Sequence, residues 1–107
     1  MIADALRDLE ICVVEAATAD GAWEYMASGK QVDLVFTDNF MPGSMTGGQL
    51  AVRIARQYPE IKVIVVSAYF NDCGWPGRVL RRPYKLHETA VELAAIATQI
   101  SQSRMQD

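Results

Sequence analysis

The chain has 107 residues and a mass of 11.8 kDa, enough for one small domain with one hydrophobic core and too little for a second, output domain. Half of the residues are hydrophobic and the net charge is −3, so the chain should be globular and offers no basic surface to nucleic acid. It has no apolar stretch as long as a membrane span and no basic signal-peptide start, and we therefore expect a cytoplasmic protein.

The first predicted elements are a helix and a strand. Apolar residues recur at helical spacing over residues 2–9, which predicts an amphipathic helix. Ile11 to Ala16 is β-branched and apolar and predicts a strand, with Glu10 in the turn before it. Cys12 and Cys73 lack metal-ligand spacing, and in a reducing compartment we expect a buried small hydrophobe and a loop thiol instead of a disulfide.

A second helix and a second strand follow. Thr18 is expected to cap this helix and Ser28-Gly29 to end it. The short apolar run Leu34 to Phe36 ends in an acid, Asp38, and the chain turns soon after at Met41-Pro42-Gly43, as expected for a buried strand. Asp38 thus lies at the carboxyl end of a strand, where ligands bind in open α/β sheets. Taken alone, an Asp here is more simply explained as a turn cap.

The third helix has a clear predicted start and stop. Thr46-Gly47-Gly48-Gln49 fits a capping box, in which the threonine hydroxyl and the glutamine amide each bond a backbone N–H group. Leu50, Ile54 and Tyr58 form the stripe that should face the core. Pro59 then ends the helix.

The rest of the chain continues the alternation. Residues 61–66 predict a central strand covered on both faces, and residues 78–82 predict the last strand. Turn-forming residues dominate positions 70–77, so the helix expected there is short or missing. A helix over 86–100 and a polar tail over 101–107 complete the chain. This order predicts an α/β, flavodoxin-like three-layer sandwich with a parallel sheet.

The strand ends together resemble the CheY-like receiver domain of two-component response regulators. The motifs are Asp38 before Met41-Pro42-Gly43, a strand ending in Ser67-Ala68, and a strand ending in Arg82-Pro83. The resemblance covers residues 2–100, which it assigns to a receiver domain. It implies that Asp38 accepts a phosphoryl group from a histidine kinase or phosphotransfer protein, and that the chain signals to a downstream protein target.

The chain departs from that family at its start. A complete receiver opens with a central strand, in the order 2-1-3-4-5, whose end carries a metal-binding acidic pair. Here the chain begins one helix later, so we expect the first central strand to be missing. Its neighbours would then leave backbone groups unpaired, at about 1–3 kcal/mol each. We therefore expect a rearranged sheet, a homodimer with an exchanged or shared strand, or a chain that starts at an internal methionine.

The resemblance also implies roles for single residues. Asp38 would be the phosphoacceptor, Ser67 holds the place of the hydroxyl residue that bonds the phosphoryl group, and Arg82 replaces the family's lysine. Val79 replaces the usual aromatic residue, so the common rotamer switch is absent. For Mg²⁺, Asp38 would supply one ligand and the Phe40 backbone carbonyl another, and without the acidic pair the ion should bind weakly or not at all.

Three functions are compatible with these residues. The leading one is a stand-alone receiver of a phosphorelay, with no enzymatic activity beyond weak self-dephosphorylation and no contact with nucleic acid or membrane. The second is a degenerate receiver that binds proteins or dimerises without phosphorylation, favoured by the missing acids, Arg82 and Val79. The third, an Asp-nucleophile phosphatase, is disfavoured because Asn39-Phe40-Met41 follows Asp38 where such enzymes resemble Asp-x-Asp-x-Thr.

Overall fold

The computed structural model of the chain describes residues 2–39, 43–67 and 75–105. In chain order, its elements are α1 (Ile2–Asp8), α2 (Ala19–Ala27), β1 (Leu34–Asp38), α3 (Gly47–Gln57), β2 (Lys62–Ser67), β3 (Val79–Arg81) and α4 (Leu86–Met105). The chain divides into two compact units. The sheet unit is Ala16–Pro83, and the helical unit is Met1–Glu15 together with Tyr84–Asp107.

The sheet unit is built on three parallel strands in the order β1-β2-β3. Asp38 of β1 lies beside Val66 of β2, and Ser67 of β2 lies beside Arg81 of β3. Strand β2 is buried from Val63 to Ser67, as its nearly continuous apolar sequence predicts for a central strand. Because the strands are parallel, their carboxyl ends lie at one edge of the sheet, which we call the carboxyl edge.

Helix α3 supplies much of the core of the sheet unit. Its predicted stripe is confirmed for Leu50 and Ile54, which are 1% and 0% exposed. Tyr58, the third residue of the stripe, forms the C-cap and packs half-buried against the same core, with its ring centroid 5.7 Å from that of Trp23. The other buried members of this core are Ala19, Met26, Ala51, Val63 and Val65.

Two threonines start helices α2 and α3, as the sequence predicts. Thr18 Oγ1 accepts a hydrogen bond from the Gly21 N–H at 2.9 Å. Thr46 Oγ1 accepts one from the Gln49 N–H at 3.1 Å, and Gln49 Oε1 accepts one from the Thr46 N–H at 2.9 Å. The predicted capping box is therefore complete, and a cap of this kind stabilises a helix by about 1 kcal/mol.

The helical unit contains α1 and α4, which pack against each other. Ala3 of α1 and Ala90 and Leu93 of α4 are buried. Helix α4 continues to Met105 and so includes residues 101–105 of the predicted polar tail. These residues are polar apart from Met105, and they include no glycine or proline that would stop a helix.

Helix α1 ends in a turn with Glu10 at a positive φ of 64°. The Glu10 N–H donates to the Arg7 carbonyl oxygen at 2.9 Å, and the Ile11 N–H donates to the Leu6 carbonyl oxygen at 3.1 Å. This pair of bonds is a Schellman motif, which satisfies carbonyl groups that the helix end leaves over. Glycine is the usual residue at the left-handed position, and glutamate is strained there.

The segment from Ile11 to Ala16 is not a strand, so that prediction is wrong. Cys12, expected as a small buried hydrophobe, is exposed, and Val14 is 57% exposed. A strand is stabilised by the hydrogen-bonded ladder with a neighbouring strand. The first part of this segment, through Glu15, belongs to the helical unit, whereas β1, β2 and β3 all belong to the sheet unit.

Some predictions fall outside the described residues. They concern the Phe40 carbonyl as a metal ligand, Cys73 as a loop thiol, and most of the 70–77 segment in which the helix is expected to be short or missing. The described end of that segment, from Trp75 onward, is not helical. In the part of the chain that the structure describes, no helix is long and apolar enough to cross a bilayer.

Candidate functional site

Three predicted site residues lie at the carboxyl edge of the sheet. Asp38 is the last residue of β1, Ser67 is the last residue of β2, and Arg82 follows β3 directly. The Arg82 N–H donates to the Ser67 carbonyl oxygen at 3.1 Å, so the pairing of the two segments continues past the end of β3. The parallel register thus brings together residues that are far apart in the sequence.

The Arg82 guanidinium contacts the Asp38 carboxylate. Its Nη2 donates to Asp38 Oδ1 at 2.5 Å, a charge-assisted hydrogen bond. The two side chains remain 50% and 41% exposed, so solvent screens the pair and it contributes only about 0–1 kcal/mol to stability. The pair therefore matters for where it places a positive charge more than for the stability of the fold.

Ser67 is enclosed at the same edge, with 1% of its surface exposed. Its backbone carbonyl oxygen accepts the bond from Arg82. Ser67 is thus a buried residue at the end of the central strand, next to the strand ends that carry Asp38 and Arg82.

Asn39 connects the end of β1 to two other elements, a role that the sequence analysis missed. Its N–H donates to the Val66 carbonyl oxygen at 2.8 Å, and its own carbonyl oxygen accepts from the Gly47 N–H at 2.9 Å. Its side-chain Oδ1 accepts from the Gly48 N–H at 3.1 Å. The residue is only 4% exposed, so these bonds hold the backbone next to Asp38 against both β2 and α3.

Gly47 allows the start of α3 to approach β1 closely. A Cβ atom at Gly47 would lie 1.9 Å from the Asp38 carbonyl oxygen, far inside van der Waals contact. No side chain larger than hydrogen fits there without a shift of the backbone. The sequence pattern identifies Gly47 only as the second residue of the capping box, because a close approach between two backbone segments leaves no signal in the residue pattern.

The backbone N–H groups at the start of α3 all donate to oxygen atoms of the chain. Asn39 accepts from Gly47 and Gly48, and the capping box accepts from Thr46 and Gln49. A helix start binds anions when its N–H groups are available. Here they are occupied, so the start of α3 offers no N–H group to an anion at Asp38.

A second carboxylate, that of Asp20, fixes the backbone at Ser44, a few residues after Asp38. Asp20, in the first turn of α2, accepts bonds from the Ser44 N–H at 3.2 Å and from the Ser44 Oγ at 3.1 Å. Gly43, with a φ of 107°, makes room for this contact, since a Cβ atom there would lie 2.9 Å from Asp20 Oδ2. The chain is therefore anchored at Asn39 and again at Ser44.

The predicted phosphoacceptor role raises the question of a divalent metal. Mg²⁺ requires a near-octahedral shell of oxygen ligands. Within residues 2–39, 43–67 and 75–105, no group of three or more His, Cys, Asp or Glu side chains could hold a metal ion. Asp38 is the one carboxylate among the predicted site residues, and its Oδ1 already accepts from Arg82. The described residues therefore do not fit a tightly held divalent ion, and Phe40, the other predicted ligand, lies outside them.

Comparison with known proteins identifies the family. The model of the response regulator receiver domain matches residues 1–73. The chain belongs to this family. The fold of the receiver is similar to that of the signal receiver domain of an HD domain-containing protein from Pseudomonas fluorescens Pf-5, at 25% identity and a TM-score of 0.76 over 97% of this chain and 81% of that one.

Two further receivers have the same fold. The receiver domain of NtrX from Brucella abortus is 25% identical, with a TM-score of 0.74 over 92% of this chain and 87% of that one. A CheY-like receiver domain protein from Methanospirillum hungatei JF-1 is 17% identical, with a TM-score of 0.77 over 95% and 86% of the two chains. The predicted flavodoxin-like fold is thus confirmed.

Membership of the receiver family brings general properties with it. Receiver domains are the phosphoacceptors of two-component systems, generally without enzymatic activity. They typically bind Mg²⁺ at the phosphorylation site and interact with histidine kinases or phosphotransfer proteins and with effector domains. The neighbours β1-β2-β3 follow the receiver order 2-1-3-4-5 at its last three strands, so the expected rearrangement of the sheet is not found among the described strands.

Proposed function

We propose that this chain is a stand-alone receiver of a two-component phosphorelay, in which Asp38 accepts a phosphoryl group from a histidine kinase or phosphotransfer protein. The supporting observation is the placement of Asp38, a partly exposed carboxylate at the carboxyl edge with Arg82 on one of its oxygens. With Oδ1 held by Arg82, Oδ2 can attack phosphorus in line with the leaving group.

Ser67 and Arg82 complete the proposed acceptor site. Arg82 would contact an oxygen of the transferred group, because a guanidinium has five N–H donors in a fork that matches phosphate. The Ser67 hydroxyl would donate to another phosphoryl oxygen from the adjacent strand end. Both residues reach the site through the parallel pairing at the carboxyl edge.

A weakly held Mg²⁺, with Asp38 and the Phe40 backbone carbonyl as its ligands, belongs to the same proposal. The described residues contain no group of three or more His, Cys, Asp or Glu side chains that could hold a metal, so we expect the ion to bind weakly or not at all.

The remaining parts of the proposal concern the setting of the chain. Residues 2–100 act as the receiver domain and signal to a downstream protein target in the cytoplasm, without binding nucleic acid or membrane. The chain catalyses nothing beyond weak self-dephosphorylation. Its acidic net charge of −3 supports a protein partner over a nucleic-acid partner.

A second candidate is a degenerate receiver that binds a protein partner, or forms a homodimer with an exchanged or shared strand, without phosphorylation. Two observations favour it. The described residues contain no group of three or more side chains that could hold a metal, and Val79, in the place of the family's switch aromatic, is a short aliphatic side chain that is 37% exposed.

The test is intact mass after incubation with acetyl phosphate and Mg²⁺. We expect the chain to gain one phosphate, and Asp38→Ala to lose that gain. Asp8→Ala, which removes an exposed carboxylate from α1, serves as the matched control and should behave as the unaltered chain. No gain in a folded sample, or a gain that Asp38→Ala retains, would overturn the phosphoacceptor proposal and favour the binding module.

A further inference from the structure

The carboxylate at the carboxyl edge already has a cation beside it. Arg82 Nη2 lies 2.5 Å from Asp38 Oδ1. The backbone of Arg82 is also fixed, because its N–H donates to the Ser67 carbonyl oxygen at 3.1 Å. The pairing that aligns β2 and β3 therefore also positions the guanidinium next to Asp38.

The oxygen ligands at this edge suit a guanidinium better than a divalent ion. Mg²⁺ needs several oxygen ligands in a near-octahedral shell, and it is usually held by more than one charged oxygen. Arg82 needs only the carboxylate that is present, because its guanidinium carries its own positive charge and requires no shell of oxygen ligands. A divalent ion that approached Asp38 would also be repelled by the positive charge of Arg82.

We propose that the Arg82 guanidinium takes the place of the divalent cation, so that Asp38 accepts a phosphoryl group without metal. This inference rests on the proposed phosphoacceptor function. A carboxylate oxygen of Asp38 attacks the phosphorus of an acyl phosphate, the bond between phosphorus and the acyl oxygen breaks, and the carboxylate of the donor leaves with the electron pair. An aspartyl phosphate forms, no proton is transferred, and Arg82 balances the charge that spreads over the phosphoryl oxygens.

The first experiment compares phosphorylation with and without metal. The rate of one-phosphate mass gain from acetyl phosphate is measured in excess EDTA and in millimolar Mg²⁺. We expect the two rates to agree within about threefold, because the charge is supplied by the chain itself. Arg82→Met should lower the rate in EDTA about tenfold or more, whereas Arg81→Met, the same change at the exposed neighbouring position, should not.

The outcomes separate this inference from the function on which it rests. A gain in Mg²⁺ that falls below about a tenth in EDTA leaves the phosphoacceptor function standing and overturns metal independence. If the chain gains no phosphate in either solution, the result counts against the phosphoacceptor function. Metal binding alone then decides whether Arg82 replaces the divalent cation at Asp38.

The second experiment measures that binding without phosphorylation. Free Mn²⁺ is titrated by electron paramagnetic resonance against the unaltered chain, Arg82→Met, Arg81→Met and the double variant Asp38→Ala/Arg82→Met. We expect Arg82→Met to bind Mn²⁺ about threefold or more tightly than the unaltered chain, and the double variant to lose this gain. Equal affinity of the unaltered chain and Arg82→Met, or the same gain in Arg81→Met, would overturn the proposal.

Discussion

The runs Leu34–Asp38 and 11–16 are both short, apolar and β-branched, yet only the first is a strand. Leu34–Asp38 pairs along its whole length with β2. The run over 11–16 follows the Schellman turn at Glu10 and leaves Val14 57% exposed. We infer that β propensity describes a side chain that suits a sheet, while a neighbouring strand decides whether the segment becomes part of one.

The two runs also differ in what holds their ends. The carboxyl end of β1 is fixed by Asn39, which bonds β2 and α3, and by Gly47, which lets α3 approach Asp38. The run over 11–16 follows directly after Glu10, which has a strained left-handed conformation. We therefore expect substitutions near the carboxyl end of β1 and substitutions near the start of the run over 11–16 to change the free energy of unfolding by different amounts and with different signs.

The largest effect should come from Gly47→Ala. The added methyl group would lie 1.9 Å from the Asp38 carbonyl oxygen, so α3 or β1 must move, and we expect unfolding to become easier by about 3 kcal/mol or more. Urea denaturation followed by circular dichroism measures this. Gly21→Ala is the control, because its methyl group would meet side-chain atoms alone, Thr18 Oγ1 at 3.2 Å and Ala16 Cβ at 4.0 Å, and should change stability by about 1 kcal/mol or less. Equal effects of the two substitutions would show that the close approach is not tight.

An intermediate effect is expected when one valine of the sheet and one valine of the run over 11–16 are each replaced by alanine. Val65, in the middle of β2, is 0% exposed, and Val65→Ala should lower the free energy of unfolding by about 2–3 kcal/mol. Val14→Ala removes the same atoms from a residue that is 57% exposed, and it should change that free energy by about 0.5 kcal/mol or less. Denaturation midpoints measured side by side test the comparison, and a cost at Val14 close to that at Val65 would mean that the run over 11–16 is packed as a strand would be.

The smallest effect should be a gain. Glu10→Gly relieves the left-handed strain at the end of α1, and we expect an increase of about 0.5–1 kcal/mol in the free energy of unfolding. Thermal denaturation is a suitable measure. Glu10→Ala keeps a Cβ atom and should give no such gain, so a similar increase in both variants would assign the effect to the lost charge instead.

Much of the fold could be predicted because its signals are local. The capping box at Thr46 and the apolar run of β2 lie within short windows of sequence, and both are found as predicted. The segment 11–16 and the end of α4 could not be predicted in the same way. The first depends on a distant partner, and the second lacks a stop residue whose position could be read.

The residues of the candidate site also differ in whether their positions could be predicted from the sequence. Asp38, Ser67 and Arg82 could be placed together because parallel strands end at one edge. Asn39 and Gly47 could not, since their roles arise from contacts between segments that the sequence does not show to be close. The direct bond between Arg82 and Asp38 could not be predicted either. The strand order predicts that both residues lie at the carboxyl edge, but it does not predict which side chains contact each other there.

The parallel pairing of Leu34 with Lys62 also sets the order in which the protein can assemble. Helices α2 and α3 can form from residues close in sequence, whereas this pairing closes a loop that contains all of α3. Arg82 meets Asp38 only after a second such loop has closed between β2 and β3. A nascent or half-folded chain therefore presents Asp38 without its guanidinium, and the complete site exists only in molecules whose sheet has finished folding.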